Sequence, residues 1–177
     1  IENLGSMDVL CTDKTGTLTV GVVRLDAAFD ADGQASPDVL RAAFLNASFQ
    51  SGLANPLDDA IAARGAEQGL RIEPERKIDE IPYDFVRKRL SVVVAGSDGR
   101  QRLITKGALD GVLAGCTSVQ SGSSEQPLTD AAREQLQHRY AEWSRQGFRV
   151  LGVATRDLPP QARYSRTEEK DLVFLGF

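Results

Sequence analysis

The chain has 177 residues, enough to bury one substantial core, with 41% hydrophobic and 26% charged side chains, a balance that excludes wholesale disorder. Its formal net charge of −4 offers no global attraction for a polyanion, so nucleic acid is not an expected partner and any phosphate must be held by locally placed Lys and Arg. Two cysteines, Cys11 and Cys116, make neither a disulfide framework nor a metal spacing, and one histidine, His138, excludes a His-rich metal site.

In chain order, "DVLCT" reads as a short buried strand and "DKTGTLT" as the loop at its carboxyl end, where open α/β sheets collect ligands. Val22 to Phe29 reads as a second strand, closed by the turn "DADGQ". Ser36 and Pro37 have the pattern of an N-cap and first helical residue for a helix over Asp38 to Phe49. A second helix is expected from about Leu57 to Gln68, with Gly69 as its stop, and a strand over Lys77 to Ile81. "RLSVVVA" and "RQRLITK" flank "GSDG", the pattern of a β-hairpin. "GALDGVLAGC" reads as a short helix and "SVQSGSSEQP" as a polar loop.

The strongest helical signal runs from Asp130 to Gln146, between a Thr129 cap and a Gly147 stop. Ala132, Leu136, Tyr140 and Trp143 recur every three to four residues as one buried stripe, which leaves His138 on the solvent side. "FRVLGVATRDL" and "DLVFLGF" read as two further strands. The middle of the chain is therefore expected to be α+β, an antiparallel sheet with helices packed on one side. The two ends read as strands of some other sheet. No apolar run approaches the roughly 18 residues of a membrane helix, and the start lacks a leader pattern. A chain opening on Ile1 and closing within "DLVFLGF" is expected to be a soluble piece of a longer protein from a reducing compartment.

Asp13 carries the sharpest chemical suggestion. A carboxylate can attack a phosphoryl group to form an aspartyl-phosphate, which splits one hard step into two. Lys14 would neutralise the transferring oxygens, threonine hydroxyls and loop N–H groups would hold them, and Mg²⁺ could bridge Asp13 and phosphate. Asp, Thr and Gly are also ordinary turn residues at a strand end, and residue types alone leave both readings open. A second signal lies along the hairpin, where Arg87, Lys88, Arg89, Arg100, Arg102 and Lys106 concentrate positive charge in an acidic chain. That composition suggests a phosphate-friendly patch. Cys11 has no basic partner in sequence and reads as a small buried strand residue.

"DKTGTLT" after "LCT" resembles the phosphorylation loop of P-type ATPases, ion pumps that phosphorylate themselves on this aspartate. Later segments resemble the same family in its own order. They are "IPYDFVRKRLSVVV", "TKGALD", "GFRVLGVATRDL" and "DLVFLGF", and together they span nearly the whole chain. The resemblance implies ATP and Mg²⁺ as ligands, with Asp13 phosphorylated and Mg²⁺-binding, and Lys14 and Thr15 as its partners. It implies that Tyr83 stacks on adenine, Lys88 and Lys106 line the pocket, Gly107 permits close approach and Arg149 contacts the phosphates. Asp58 falls where the family usually has a glutamate near adenine, and Tyr83 where it more often has phenylalanine. Without the resemblance, Tyr83 would read as a strand-end aromatic and Lys88 as a solvated edge. Lys106 and Gly107 would be a strand end and turn. Arg149 would sit on a strand, pointing opposite to Phe148 and Val150.

The implied organisation is an N-terminal piece of a phosphorylation domain over 1–28, a nucleotide-binding domain over 29–170, and a return into the phosphorylation domain over 171–177. "YDFVRKRLSVVV", the cysteine in "GVLAGCTSV" and "EEKDLVFLGF" most resemble the bacterial magnesium-transporting branch. A calcium, sodium or proton pump of the same superfamily is the alternative. The implied setting is the cytoplasmic face of the bacterial inner membrane, with the pump's phosphorylation, actuator and membrane domains as partners. The family's later GDGxND-type aspartate pair is missing here, so the chain is expected to bind nucleotide without turning it over. Other candidates are a haloacid-dehalogenase-type phosphatase or phosphotransferase and a non-catalytic nucleotide-binding module. Such phosphatases usually place an acidic residue two positions after the nucleophile, where this chain has Thr15.

Overall fold

A computed structural model of the chain describes residues 8–9, 22–52 and 55–177. Of the expected first strand only Asp8 and Val9 are described, both exposed and outside any strand; the rest of it and the loop carrying Asp13, Lys14 and Thr15 lie outside the described residues. Two helices come first. In α1 (Pro37–Phe49) the Ser36 hydroxyl accepts from the Val39 N–H at 3.3 Å, and in α2 (Pro56–Glu67) the Asn55 side chain accepts from the Leu57 N–H at 3.0 Å. Each cap satisfies an N–H that the first turn leaves without a partner, and proline at N1 sets φ for the helix. The helices meet closely at Gly65. A Cβ there would lie 2.2 Å from the Phe44 ring, so any larger residue would push α1 and α2 apart.

Seven strands follow: β1 (Arg76–Ile81), β2 (Arg89–Ala95), β3 (Gln101–Gly107), β4 (Cys116–Ser121), β5 (Ser124–Pro127), β6 (Gly152–Leu158) and β7 (Leu172–Gly176). They form one sheet in the order β1-β2-β3-β6-β7-β4-β5, antiparallel except for the β4–β7 pair. Two more helices, α3 (Leu109–Leu113) and α4 (Asp130–Arg145), complete the described elements.

Helices cover both faces of the sheet rather than one. Val92, Val94, Ile104 and Val153 join Val39, Phe44 and Ile61 of α1 and α2 in one core. Val93, Leu103, Ala154, Leu172 and Phe174 join Leu109, Val112 and Leu136 of α3 and α4 in the other. Side chains alternate across a strand, so β2 needs apolar residues on both faces, which accounts for the run "VVVA" that ends it. The stripe expected on α4 points inward as read: Leu136 is buried, with Tyr140 and Trp143 packed against the core, while His138 is exposed.

Four further expectations are corrected. Residues 22–28 form no strand, and only the bridges Phe29↔Ala35 and Asp30↔Gly176 mark this region. "SVQSGSSEQP" is not a loop but most of the β4–β5 hairpin, joined by backbone pairing with β5 fully solvated. Strand β6 starts only at Gly152, so Arg149 sits in an unpaired segment. "DLVFLGF", assigned by sequence to a different sheet, supplies β7, an interior strand between β6 and β4.

Cys116 opens β4, buried at 3% exposure, with its thiol directed to the Val112 carbonyl at 3.3 Å. Burial pushes its pKa up to about 12, against the opposing pull of Arg133 and Arg89. The thiolate is the reactive form, so Cys116 is expected to resist disulfide reagents at pH 8 until denaturant is added. Peptide mapping by mass spectrometry checks this, and labelling of Cys116 in the native chain at the denatured rate would refute it.

Candidate functional site

Strand register gathers the candidate residues at one end of the sheet. Arg89 pairs with Gly107, and Gly107 with Gly152, so the start of β2, the end of β3 and the start of β6 lie side by side. Tyr83 is in the connection from β1 to β2, Lys88 immediately precedes β2, Lys106 and Gly107 end β3, and Arg149 leads into β6. Gly107 is required by packing, because a Cβ would lie 2.3 Å from the Lys88 carbonyl oxygen and 2.6 Å from the Arg89 Cα. Both are backbone atoms that cannot swing aside.

Asp58 enters from α2. Lys106 and Asp58 are each only 5% exposed, and the Lys106 ammonium donates to Asp58 Oδ1. Lys106 faces α2 because it shares its sheet face with its cross-strand partners Leu90 and Val153. Burial lowers the lysine pKa, and Asp58 opposes that by favouring the charged form. The pair is a neutral floor, not a free cation. Lys106 and Arg149 both line a largely apolar cavity of about 290 Å³, walled also by Leu57, Ile61, Trp143 and Leu151.

Tyr83, in the β1–β2 connection, is not among the residues that wall this cavity; it is 51% exposed and in edge-to-face contact with Phe85, ring centroids 5.5 Å apart. Lys88 and Arg149 are exposed, and neither has a carboxylate within ion-pair reach among the described residues. Lys88 holds φ +53, the left-handed region that non-glycine residues seldom occupy and that recurs at functional sites. Its carbonyl accepts from the Ala108 N–H at 2.9 Å, which fixes the turn against α3.

The continuous basic patch expected along the hairpin does not form. Arg100 and Arg102 sit near the turn, roughly 13–20 Å from Lys106 at ~3.3 Å per residue, and they pair with Asp98 and Asp157. Arg87 and Arg89 both pair with Glu169, and Lys106 pairs with Asp58. Of the six hairpin cations only Lys88 keeps its charge uncompensated among the described residues. Glu169 is the residue that sequence reasoning missed. It lies in the charged run "RTEEKD", which reads as solvated, yet its carboxylate is fully buried.

Residues 42–177 match the family model described as P-type ATPase, cytoplasmic domain N. Across its whole length the chain is 42% identical to a "Magnesium-transporting ATPase, P-type 1" of Escherichia coli K12 and 43% identical to one of Salmonella typhimurium, covering 20% of each. It is 29% identical over 88% of its length to a "Plasma membrane ATPase" of Zygosaccharomyces rouxii, covering 17% of that protein. The chain thus spans about a fifth of the length of these relatives.

Proposed function

Because the chain belongs to the P-type ATPases, matched through their cytoplasmic domain N, we propose that it is the ATP-binding part of a cation pump that works through an aspartyl-phosphate. The observation that carries this reading is the gathering of Tyr83, Lys88, Lys106, Gly107 and Arg149 toward one sheet end, where Lys106 and Arg149 line an apolar cavity. Tyr83 offers a half-exposed π-face for the adenine, a contact worth ~1–3 kcal/mol per stacked base. The Asp58–Lys106 pair closes the pocket floor without net charge, which suits a neutral base better than a triphosphate. The phosphates fall to Lys88 and Arg149, whose charges are uncompensated within the described fold.

Asp13 would accept the γ-phosphoryl group, with Lys14 and Thr15 holding its oxygens. Mg²⁺ would be held by Asp13 and the nucleotide's phosphates. Among the described residues no group of three or more His, Cys, Asp or Glu side chains converges to hold an ion. When bound, Mg²⁺ supplies charge neutralisation at the transferring phosphoryl group. The transported ion is Mg²⁺ on this reading, because identity to the relatives named magnesium-transporting is 42–43% against 29% for the plasma membrane ATPase. No helix among the described residues is long and apolar enough to cross a membrane. The membrane path and the other pump domains would lie elsewhere in the protein, on the bacterial inner membrane, with this part at its cytoplasmic face.

ATP titration of the chain tests the reading. Trp143, the single tryptophan, lines the same cavity as Lys106 and Arg149, so its emission should change saturably with ATP. Tyr83→Ala should weaken binding by roughly 5- to 150-fold, the stacking contribution expressed as affinity. A flat titration, checked by calorimetry, would remove the nucleotide site. A companion expectation is that the isolated chain forms no acid-stable phosphoenzyme from radiolabelled ATP. Label on Asp13 would show that this piece phosphorylates itself unaided.

A further inference from the structure

We propose that Glu169 is a positioning residue for the adenine-stacking loop, acting on Tyr83 through Arg87; the proposal rests on the nucleotide-site reading above. Glu169 lies between a short 3-10 turn, Arg166–Glu168, and β7, on the far side of the sheet from the Asp58–Lys106 pair. Its carboxylate is fully buried and every contact is directed. Oε1 accepts from Ser91 Oγ at 2.6 Å, and Ser91 is hydrogen-bonded to Thr105 Oγ1 at 2.7 Å. Oε2 accepts from Arg89 Nε at 3.0 Å and from Arg87 Nη1.

Arg87 is the link to the site. Its Nη2 donates to the Pro82 carbonyl at 2.7 Å and its Nε to Asp84 Oδ2 at 2.5 Å. Pro82 and Asp84 are the two neighbours of Tyr83, so a single planar guanidinium grips the backbone on one side of the aromatic and the carboxylate on the other. Asp84 in turn folds the loop, its Oδ1 accepting from the N–H groups of Val86 at 2.9 Å and Arg87 at 2.6 Å. Tyr83 itself touches no core, and its described ring contact is with Phe85, which is 87% exposed. The ring therefore takes its place from the loop backbone, and the loop takes its place from Arg87 docked on Glu169. Arg89 is anchored to the same carboxylate without reaching the loop, so Glu169 keeps a partner even if Arg87 is altered.

A fork of this kind is specific to guanidinium, because an ammonium cannot present parallel N–H groups to two acceptors in fixed geometry. The test is a thermodynamic cycle on ATP affinity, measured by calorimetry on the 177-residue chain. Glu169→Gln and Arg87→Lys should each weaken ATP binding roughly tenfold, and neither should weaken it further once Tyr83→Ala is present. A residue that only stabilised the fold would lower affinity equally in both backgrounds. Additive losses, or wild-type affinity in both variants, would overturn the proposal. Should Glu169→Gln fail to fold, Arg87→Lys decides alone, since it leaves Glu169 paired with Arg89 and Ser91. Wild-type chain that does not bind ATP would instead refute the nucleotide reading, an outcome distinguishable from failure of the positioning role.

Discussion

Lys106→Met should lower the stability of the chain by about 3–5 kcal/mol, the usual cost of leaving one buried charge without its partner. The reason is Asp58, which is 5% exposed and has the Lys106 ammonium as its ion-pair partner among the described residues. At roughly 2–4 °C per kcal/mol for a chain of this size, the thermal midpoint should fall by about 6–20 °C. Combining Lys106→Met with Asp58→Leu should recover most of that loss, since an apolar pair of similar volume often replaces a buried ion pair without penalty. Urea unfolding of the two variants checks the sign, and a double variant no more stable than Lys106→Met would show that Asp58 is not the burdened group. The same double variant should bind ATP poorly despite its stability, which separates the floor's chemical role from its structural one.

Phe174→Ala should cost about 3–5 kcal/mol, the range for deleting a buried aromatic ring. Phe174 has no solvent exposure, packs edge-on against Phe177 with centroids 5.2 Å apart, and sits on an interior strand bonded to both β6 and β4. The comparison that matters is with Val173→Ala on the same strand, whose side chain is only half-buried. A loss for Phe174→Ala no larger than for Val173→Ala would mean that β7 is peripheral to this fold. The larger loss would mean that a segment reading from sequence as part of another sheet is structurally indispensable here.

Sequence made the helices legible because their signals are local. Ser36–Pro37, Gly69, Thr129 and Gly147 mark ends within a residue or two, and the α4 stripe needs only a period of 3.6. The central hairpin was equally plain, since "GSDG" separates two β-rich runs. Strands β4 and β5 escaped because only Cys116 and Val119 among their residues are buried, so no apolar alternation announces them. Backbone pairing alone builds that edge. The position of β7 escaped for a different reason: an apolar strand pattern says that a segment is buried, not which neighbours bury it.

The candidate site divides in the same way. Tyr83, Lys88, Lys106, Gly107 and Arg149 could be named from ordered motifs, and strand register brings them to one end of the sheet. Which of them still has charge to offer could not be read, because the neutralising carboxylates come from remote positions. Asp58 lies 48 residues from Lys106, and Glu169 lies 82 from Arg87. Composition counted six cations on the hairpin, whereas only Lys88 keeps its charge without a carboxylate partner among the described residues. Glu169 was hidden by the run in which it sits, since nothing in "RTEEKD" distinguishes a buried carboxylate from a solvated one.

The pairing of Phe29 with Phe177 has a mechanical consequence. Their backbones exchange two hydrogen bonds, at 2.8 and 2.7 Å, and Trp143 contacts both rings, stacked on Phe29 and edge-on to Phe177. The segment that reaches Phe29 from one direction and strand β7, which reaches Phe177 from another, are therefore joined at a single clasp one residue pair wide. A load pulling those two directions apart would act on that clasp in series, opening it like a zipper, before any strand of the sheet was sheared. Phe29, Trp143 and Phe177 also wall the cavity that Lys106 and Arg149 line, so opening the clasp would open that side of the cavity with it.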